Sequence, residues 1–292
     1  MHTVMTTSEI AVLLCHAHVP MAMDCLGSLL RLCADELSLR IHDDGSLTSA
    51  DIVCLQDALG EHEVVLRRDA DERMKDEYGR YPKVIELRRT FPLILKAFDG
   101  IAYCKTPLFA YIDSDVLFMD RFVNPFRLPN PDIGAIFMQD RAPSYSLRSW
   151  QLALSPRVRL PAKINSGMIV SRKDLFDFDL LEWFVGRWLH RGIPSMLEQT
   201  FWAFLGVRIG CRIFDPRQAR VMREEEEDER DLVAGHFTAR TRWLLPRYVE
   251  RSHRASNPER PTVLRTLDPG RCNAGDLLHY EISRVGRRFA HS

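Results

Sequence analysis

Hydrophobic and polar positions switch between two periods along the first half of the chain. Residues 9–15 form a short apolar run of strand length. From Pro20 onward, Met23, Leu26, Leu29, Leu30 and Cys33 recur at helical spacing, and a proline suits a first helical turn. Residues 37–41 predict a second strand, which runs into His42-Asp43-Asp44-Gly45-Ser46. A helix is expected over 48–59, capped at Thr48 or Ser49 with Asp51 in its first turn, and a third strand over 63–66. Residues 83–98 place Val84, Leu87, Phe91, Ile94, Leu95 and Phe98 on one helical face, with Pro92 expected to bend or split the helix. Residues 108–112 predict an uncharged strand ending in Asp113-Ser114-Asp115.

This β-α-β-α order argues for an α/β fold, a central sheet with helices on its faces. In such sheets ligands gather at the carboxyl ends of the strands. The polar clusters fall there: His16 and His18 after the first strand, Asp43 and Asp44 after the second, Asp113 and Asp115 after a later one. The second half is more mixed. It predicts a strand over 132–138, a mobile polar loop over 139–163, a turn and strand over 164–171, and helices over 174–190 and 195–205. Residues 224–229 are uninterruptedly acidic and read as a solvated loop. From Arg240 to the end, eleven Arg face five acidic residues with few apolar clusters, so 244–292 is expected to be a basic extension that wraps residues 1–243 or is partly disordered.

Composition narrows the classes. The chain has 292 residues, 46% hydrophobic and 27% charged, enough for a packed core and against global disorder. Forty basic and forty acidic residues cancel, which gives no general pull toward nucleic acid or an acidic membrane. No apolar run approaches the roughly 18–20 residues of a membrane span, and 10–15 lacks the flanks of a signal peptide. A cytoplasmic protein without a transmembrane segment is therefore expected. Seven cysteines with no C-x-x-C pair, several inside apolar runs, read as reduced core thiols.

Tyr111-Ile112-Asp113-Ser114-Asp115-Val116-Leu117-Phe118 carries the sharpest chemistry. Two carboxylates two residues apart at the end of a buried strand can converge on one hard cation, Mg²⁺ or Mn²⁺. A cation with open positions can neutralise a departing diphosphate. The same D-x-D spacing also fits a haloacid-dehalogenase-like phosphatase with Asp113 as nucleophile, although Leu117 stands where that class has Thr or Val. A nucleotidyltransferase would add a Gly-rich signature near the first strand, and a calcium loop many more oxygen ligands. Neither is present, nor is a phosphate-binding G-x-x-x-x-G-K or a G-x-G-x-x-G fingerprint.

With these motifs in order, the stretch from Ile10 to Trp243 resembles a single-domain nucleotide-sugar-dependent glycosyltransferase of the DxD-containing A-type fold. The similarity is greatest to glycogenin-like and galactosyltransferase-like retaining enzymes. Asp43-Asp44-Gly45-Ser46 resembles the element that contacts base or ribose, and Asn165-Ser166-Gly167 a strand start lining the sugar site. Glu198-Gln199-Thr200-Phe201 resembles a D-Q-x-hydrophobic segment at the reacting bond. Gly235-His236-Phe237 through Arg242-Trp243 is similar to a C-terminal segment whose His completes the metal site and whose basic residue grips the diphosphate. Here Ala239 replaces a Gly, Arg242 stands near the Lys, a Pro is missing and Glu198 replaces an Asp.

The resemblance implies Mn²⁺ or Mg²⁺ on Asp113, Asp115 and His236. It implies donor contacts from Asp43, Asp44, Asp113, Asn165 and Arg242, and reaction-centre roles for Glu198 and Gln199. Lys83, at a helix start set by Tyr81-Pro82, is a further phosphate or sugar candidate. The donor implied is a nucleotide diphosphate sugar, UDP-linked by preference, and the acceptor an unspecified glycan, lipid or protein. D-D-G-S is commoner among inverting members, whereas the His, basic and Glu-Gln elements resemble retaining ones. A non-catalytic nucleotide-sugar-binding protein of the same fold is the further alternative.

Overall fold

A computed structural model describes residues 8–155, 157–188, 194–224, 228–255 and 260–289. The first half follows the expected alternation: β1 (Ser8–Leu14), α1 (Val19–Leu32), β2 (Leu37–Asp43), α2 (Ser49–Leu59), β3 (Glu63–Val65), α3 (Arg67–Tyr78), α4 (Pro82–Thr90), α5 (Phe98–Tyr103) and β4 (Leu108–Ile112). Thr48 caps α2 reciprocally: its hydroxyl accepts from the Asp51 N–H at 3.2 Å, and the Asp51 carboxylate accepts from the Thr48 N–H at 2.7 Å.

The helix expected over 83–98 is split at Pro92, as expected, into α4, a 3-10 turn over Pro92–Lys96 and α5, because Pro92 has no N–H to continue the ladder. One element differs from the sequence reading. Helix α3 had no apolar stripe to announce it: only Ala70 and Met74 of its twelve residues are buried.

The second half comprises β5 (Val116–Phe118), β6 (Ala135–Gln139), α6 (Ser149–Ala153), β7 (Leu160–Pro161), β8 (Ile164–Arg172), α7 (Phe178–Trp188), α8 (Leu197–Ile209), β9 (Cys211–Phe214), β10 (Ala219–Val221), β11 (Ala234–His236), α9 (Leu245–His253), β12 (Thr266–Leu267), β13 (Arg271–Cys272) and α10 (Ala274–Phe289). Among the described residues, one sheet runs in the order β3-β2-β1-β4-β8-β6-β10-β11-β5, with β9 also on β6 and β12 on β9. Strands β3, β2, β1 and β4 are parallel, and β8 is antiparallel to both β4 and β6, so the sheet is mixed.

Side chains alternate between its faces. Ile10, Val12, Ala110 and Ile112 join one core with α1 and α2; Ala11, Phe109, Tyr111 and Phe137 join the other with α5, α7 and α8. There Trp202 stacks on Phe109 at 5.7 Å between centroids.

The stretch 139–163 is not a mobile loop. Tyr145, Leu147, Leu152, Val158 and Leu160 are buried. The Tyr145 hydroxyl donates to Pro161 O at 2.8 Å and accepts from the Ile164 N–H at 3.1 Å. Its apolar residues follow no single period, so pattern alone could not place them. The C-terminal stretch packs back on the rest: β12 pairs β9, β13 pairs β7, and α10 lies on α6. Part of the acidic run, 225–227, lies outside the described residues; Glu229 bonds Tyr248 and Arg251. All seven cysteines are unpaired. No described helix is long and apolar enough to cross a membrane.

Candidate active site

Strand β4 ends at Ile112 and delivers Asp113 and Asp115 to the carboxyl edge of the sheet. Strand β5 begins one residue later and pairs antiparallel with β11, which sets His236 opposite Val116. The Phe237 N–H closes this corner on Asp115 O at 2.8 Å. One ligand atom from each of Asp113, Asp115 and His236 lies within 4.8 Å of the others. His236 Nε2 is 3.0 Å from Asp115 Oδ1 and 3.7 Å from Asp113 Oδ2.

The other ring nitrogen decides what Nε2 offers. His236 Nδ1 is 2.8 Å from Asn165 Oδ1, and that oxygen also accepts the Gly167 N–H at 2.8 Å. Asn165 therefore presents an acceptor, and Nδ1 carries the proton. A neutral ring then aims the Nε2 lone pair at two carboxylates, an arrangement that requires a proton or a cation between them. This donor set, two carboxylates and an imidazole oriented from behind, fits a divalent ion. Burial alone would lower the His236 pKa, but Asp115 and Asp113 raise it. Burial would raise the Asp115 carboxyl, yet His236 and Arg242 hold it well below the usual carboxylate range.

Two further cations complete the cluster. Arg242 donates to Asp115 Oδ2 from Nη2 at 2.8 Å and Nε at 3.2 Å, and its Nη1 is 2.8 Å from His18 Nε2. Lys96 Nζ, on the 3-10 turn, is 2.6 Å from Asp113 Oδ1, which also accepts the Tyr111 hydroxyl at 2.8 Å. Burial would strip the Lys96 charge, but Asp113 and Glu198 keep its pKa raised.

Beyond Asp113, the first turn of α8 faces β8. Glu198 is 3% exposed; its Oε2 accepts from Ser166 Oγ at 2.9 Å and its Oε1 has no hydrogen-bond partner. Burial lifts its carboxyl to about 7, with Lys96 opposing and Asp113 adding to the rise. Gln199 Oε1 accepts from the Ser166 N–H at 3.3 Å, and its Nε2 donates to Ser144 O at 2.9 Å and Asp140 Oδ2 at 3.3 Å.

No protein-family model matches the chain, and no curated protein matches it. Solved structures do. Mouse xyloside xylosyltransferase 1 superposes with a TM-score of 0.56 at 14% identity, over 80% of this chain and 99% of that one. The galactosyltransferase LgtC, solved with donor and acceptor sugar analogues, gives 0.53 at 12%, over 86% and 98%. The bifunctional glycosyltransferase WbbM gives 0.55 at 10%, over 85% of this chain and 50% of that one. The chain has the A-type glycosyltransferase fold.

Within the A-type fold the residues singled out from sequence take different places. Asp113, Asp115, His236, Asn165 and Arg242 come together, with Glu198 and Gln199 beside them on α8. Asp43 and Asp44 follow β2. Asp43 Oδ1 accepts the Gly45 and Leu47 N–H groups at 2.8 and 3.0 Å, and its Oδ2 the Arg67 N–H at 3.3 Å, so this carboxylate holds its own loop. Asp44 uses Oδ1 on Ser46, and lies close enough to His18 to raise its pKa against the larger lowering by burial and Arg242.

Lys83 is not brought to the cluster. It is exposed where α4 meets α7, with its N–H on Glu182 at 3.1 Å and its ammonium close over Gly186. The helix start set by Tyr81-Pro82 points it at α7; the lysine at the carboxylates is Lys96. Sequence reasoning also missed Tyr111, Ser166 and the half-buried Asp140 as parts of this site. Lys96 did leave a signal, a lone charge inside Leu93-Ile94-Leu95-Lys96-Ala97-Phe98. A lysine in such a run is buried only when paired.

Proposed function

We propose that this chain is a metal-dependent glycosyltransferase that moves a sugar from a nucleotide diphosphate sugar, UDP-linked by preference, to an acceptor hydroxyl with retention at the anomeric carbon. The observation that carries the reading is the Asp113–Asp115–His236 cluster with its tautomer set by Asn165, at the ligand-binding edge of an A-type fold. Mn²⁺ or Mg²⁺ would be held by those three side chains and would supply positive charge against the departing diphosphate.

The chain's own residues do the rest. Arg242 places a fixed cation beside Asp115, and Lys96 another beside Asp113. Preorganised charge of this kind is the largest catalytic contribution in most enzymes. Asp44, on the loop after β2, would contact the nucleoside. Asn165, Glu198 and Gln199 form the sugar wall, fixed to one another through Ser166. Retention is favoured because an inverting base must reach the incoming hydroxyl. The two carboxylates on this wall are engaged by neighbours: Glu198, buried, by Ser166, and Asp140, half-buried, by Gln199. All these groups lie within 1–243, and 244–292 serves as an extension packed on it. Seven unpaired thiols suit a reducing compartment, which supports a cytoplasmic location.

The test is nucleotide release from UDP-, GDP- and CDP-sugars with Mn²⁺, Mg²⁺ or EDTA, followed by proton NMR of the product. UDP-sugar turnover is expected only with metal, and Asp115→Ala should cost about 10²–10³ in rate. Full activity in EDTA removes the metal, and a GDP preference overturns the nucleotide assignment. A β-linked product from an α-linked donor overturns retention. Binding of UDP-sugars without turnover of any donor establishes the non-catalytic alternative instead.

A further inference from the structure

Asp113 and Asp115 each have one oxygen already engaged by a cation of the chain. Asp113 Oδ1 lies 2.6 Å from Lys96 Nζ and also accepts the Tyr111 hydroxyl at 2.8 Å. Asp115 Oδ2 accepts from Arg242 Nη2 at 2.8 Å and from Nε at 3.2 Å. The opposite oxygens turn to the imidazole: Asp115 Oδ1 is 3.0 Å and Asp113 Oδ2 3.7 Å from His236 Nε2. The three side chains thus offer a divalent ion one donor atom apiece. An octahedral ion such as Mg²⁺ or Mn²⁺ takes roughly six, so about half of its positions fall to water or to oxygens that a ligand brings.

Charge leads to the same place. Two carboxylates face an ammonium and a guanidinium, and with a neutral His236 ring these four charges cancel. Glu198, lifted by burial to about 7, adds no more than part of a charge at neutral pH. Asp140 spends its oxygens on Gln199 and the Arg141 N–H. Lys96, Asp115 and His236 are buried, so water screens this cluster poorly. A dication arriving alone would add its charge beside two fixed cations, with nothing left over to balance it. A diphosphate brings both the missing oxygens and the missing negative charge.

We propose that Lys96 and Arg242 keep a divalent ion from binding by itself: they hold the site electrically balanced, so that metal and diphosphate enter it together. Each ligand then raises the affinity of the other, by the same factor in both directions. The two cations therefore oppose the ion in the free chain and favour the diphosphate that accompanies it. This coupling rests on the glycosyltransferase reading only where it takes the diphosphate to be that of a nucleotide sugar.

The experiment is calorimetric titration of the full chain at neutral pH with Mn²⁺ alone, then with Mn²⁺ premixed with UDP or with pyrophosphate, against chain-free controls. Wild type should bind the premixed ion about tenfold or more tightly than the ion alone. Lys96→Met and Arg242→Gln remove a charge and little bulk; each should bind Mn²⁺ alone about tenfold or more tightly than wild type. Arg242→Lys keeps the charge and should bind as wild type does. Side chains that merely braced the ligands would give the opposite sign on removal. Losing a cation also strands a carboxylate, so both neutral variants should melt lower than wild type in EDTA and be raised further by Mn²⁺. Neutral variants that bind Mn²⁺ no better than wild type, or whose melts Mn²⁺ does not restore, overturn the proposal. So does wild-type affinity for Mn²⁺ that UDP and pyrophosphate both leave unchanged. Coupling with pyrophosphate but not with UDP upholds the proposal and removes the nucleotide-sugar reading; UDP-sugar turnover by a chain without coupling does the reverse.

Discussion

Replacing Glu198 by Gln makes the cost of a buried carboxylate measurable. Glu198 sits at about 7 in the fold against an ordinary value of 4.5, raised by burial. The folded state therefore keeps the proton over a range where the unfolded chain has released it. Stability from this group is fully present below 4.5 and is lost as pH rises through 7. Linkage gives a loss of about 3 kcal/mol at pH 8 and under about 1 kcal/mol at pH 5. Gln keeps the shape and an oxygen for Ser166 Oγ but does not ionise. The difference in unfolding free energy, variant minus wild type, should then rise by about 2–3 kcal/mol between pH 5 and pH 8. Urea melts of both proteins at pH 5, 6, 7 and 8 in EDTA read this directly. Titrating groups that do not interact with Glu198 cancel in the difference. Parallel stability curves for the two proteins across that range would refute the assignment of a raised carboxyl to Glu198.

Two further outcomes follow from neighbouring contacts. Asn165→Ala frees the His236 ring and should weaken Mn²⁺ binding by about 10–100-fold in calorimetric titration, the usual loss when the group behind a ligating histidine is removed; unchanged affinity would detach Asn165 from the site. Arg88→Ala strands Asp99, 1% exposed and bonded to Arg88 Nη2 at 2.6 Å, and should cost about 3–5 kcal/mol in a urea melt; a loss below about 1 kcal/mol would show that the carboxyl simply takes up a proton.

What the sequence discloses follows from how locally each feature is encoded. Asp113 and Asp115 are legible because an apolar strand stops at them, and strand ends are where such sheets bind ligands. Thr48 and Asp51 are legible because a capping box spans three residues. His236 and Asn165 could be placed only through resemblance, since the bond between them joins β11 to β8 across 71 residues. Lys83 and Lys96 show the limit. Both lie in the stretch read as one helix, and only the break at Pro92 turns Lys96 to the carboxylates. The stretch 139–163 escaped because its buried residues are fixed by partners such as Thr200 and Pro161, which no local period encodes.

The pairing of β5 with β11 has a bearing on how such chains recombine. Any crossover between residues 118 and 234 takes the carboxylates from one parent and the imidazole from the other. The strands that carry them would meet through three residue pairs, Phe118 with Ala234, Leu117 with Gly235, and Val116 with His236. Gly235 is closely packed: a Cβ there would come within 2.8 Å of Met222 Sδ and 3.1 Å of the Phe237 ring. A parent with a side chain at 235 would have to displace the Met222 thioether that packs there. Inheritance of the site is thus tied to residues beside it as well as to its three ligands, and a chimera that gains a side chain at 235 needs a smaller residue at 222 to keep the imidazole in place.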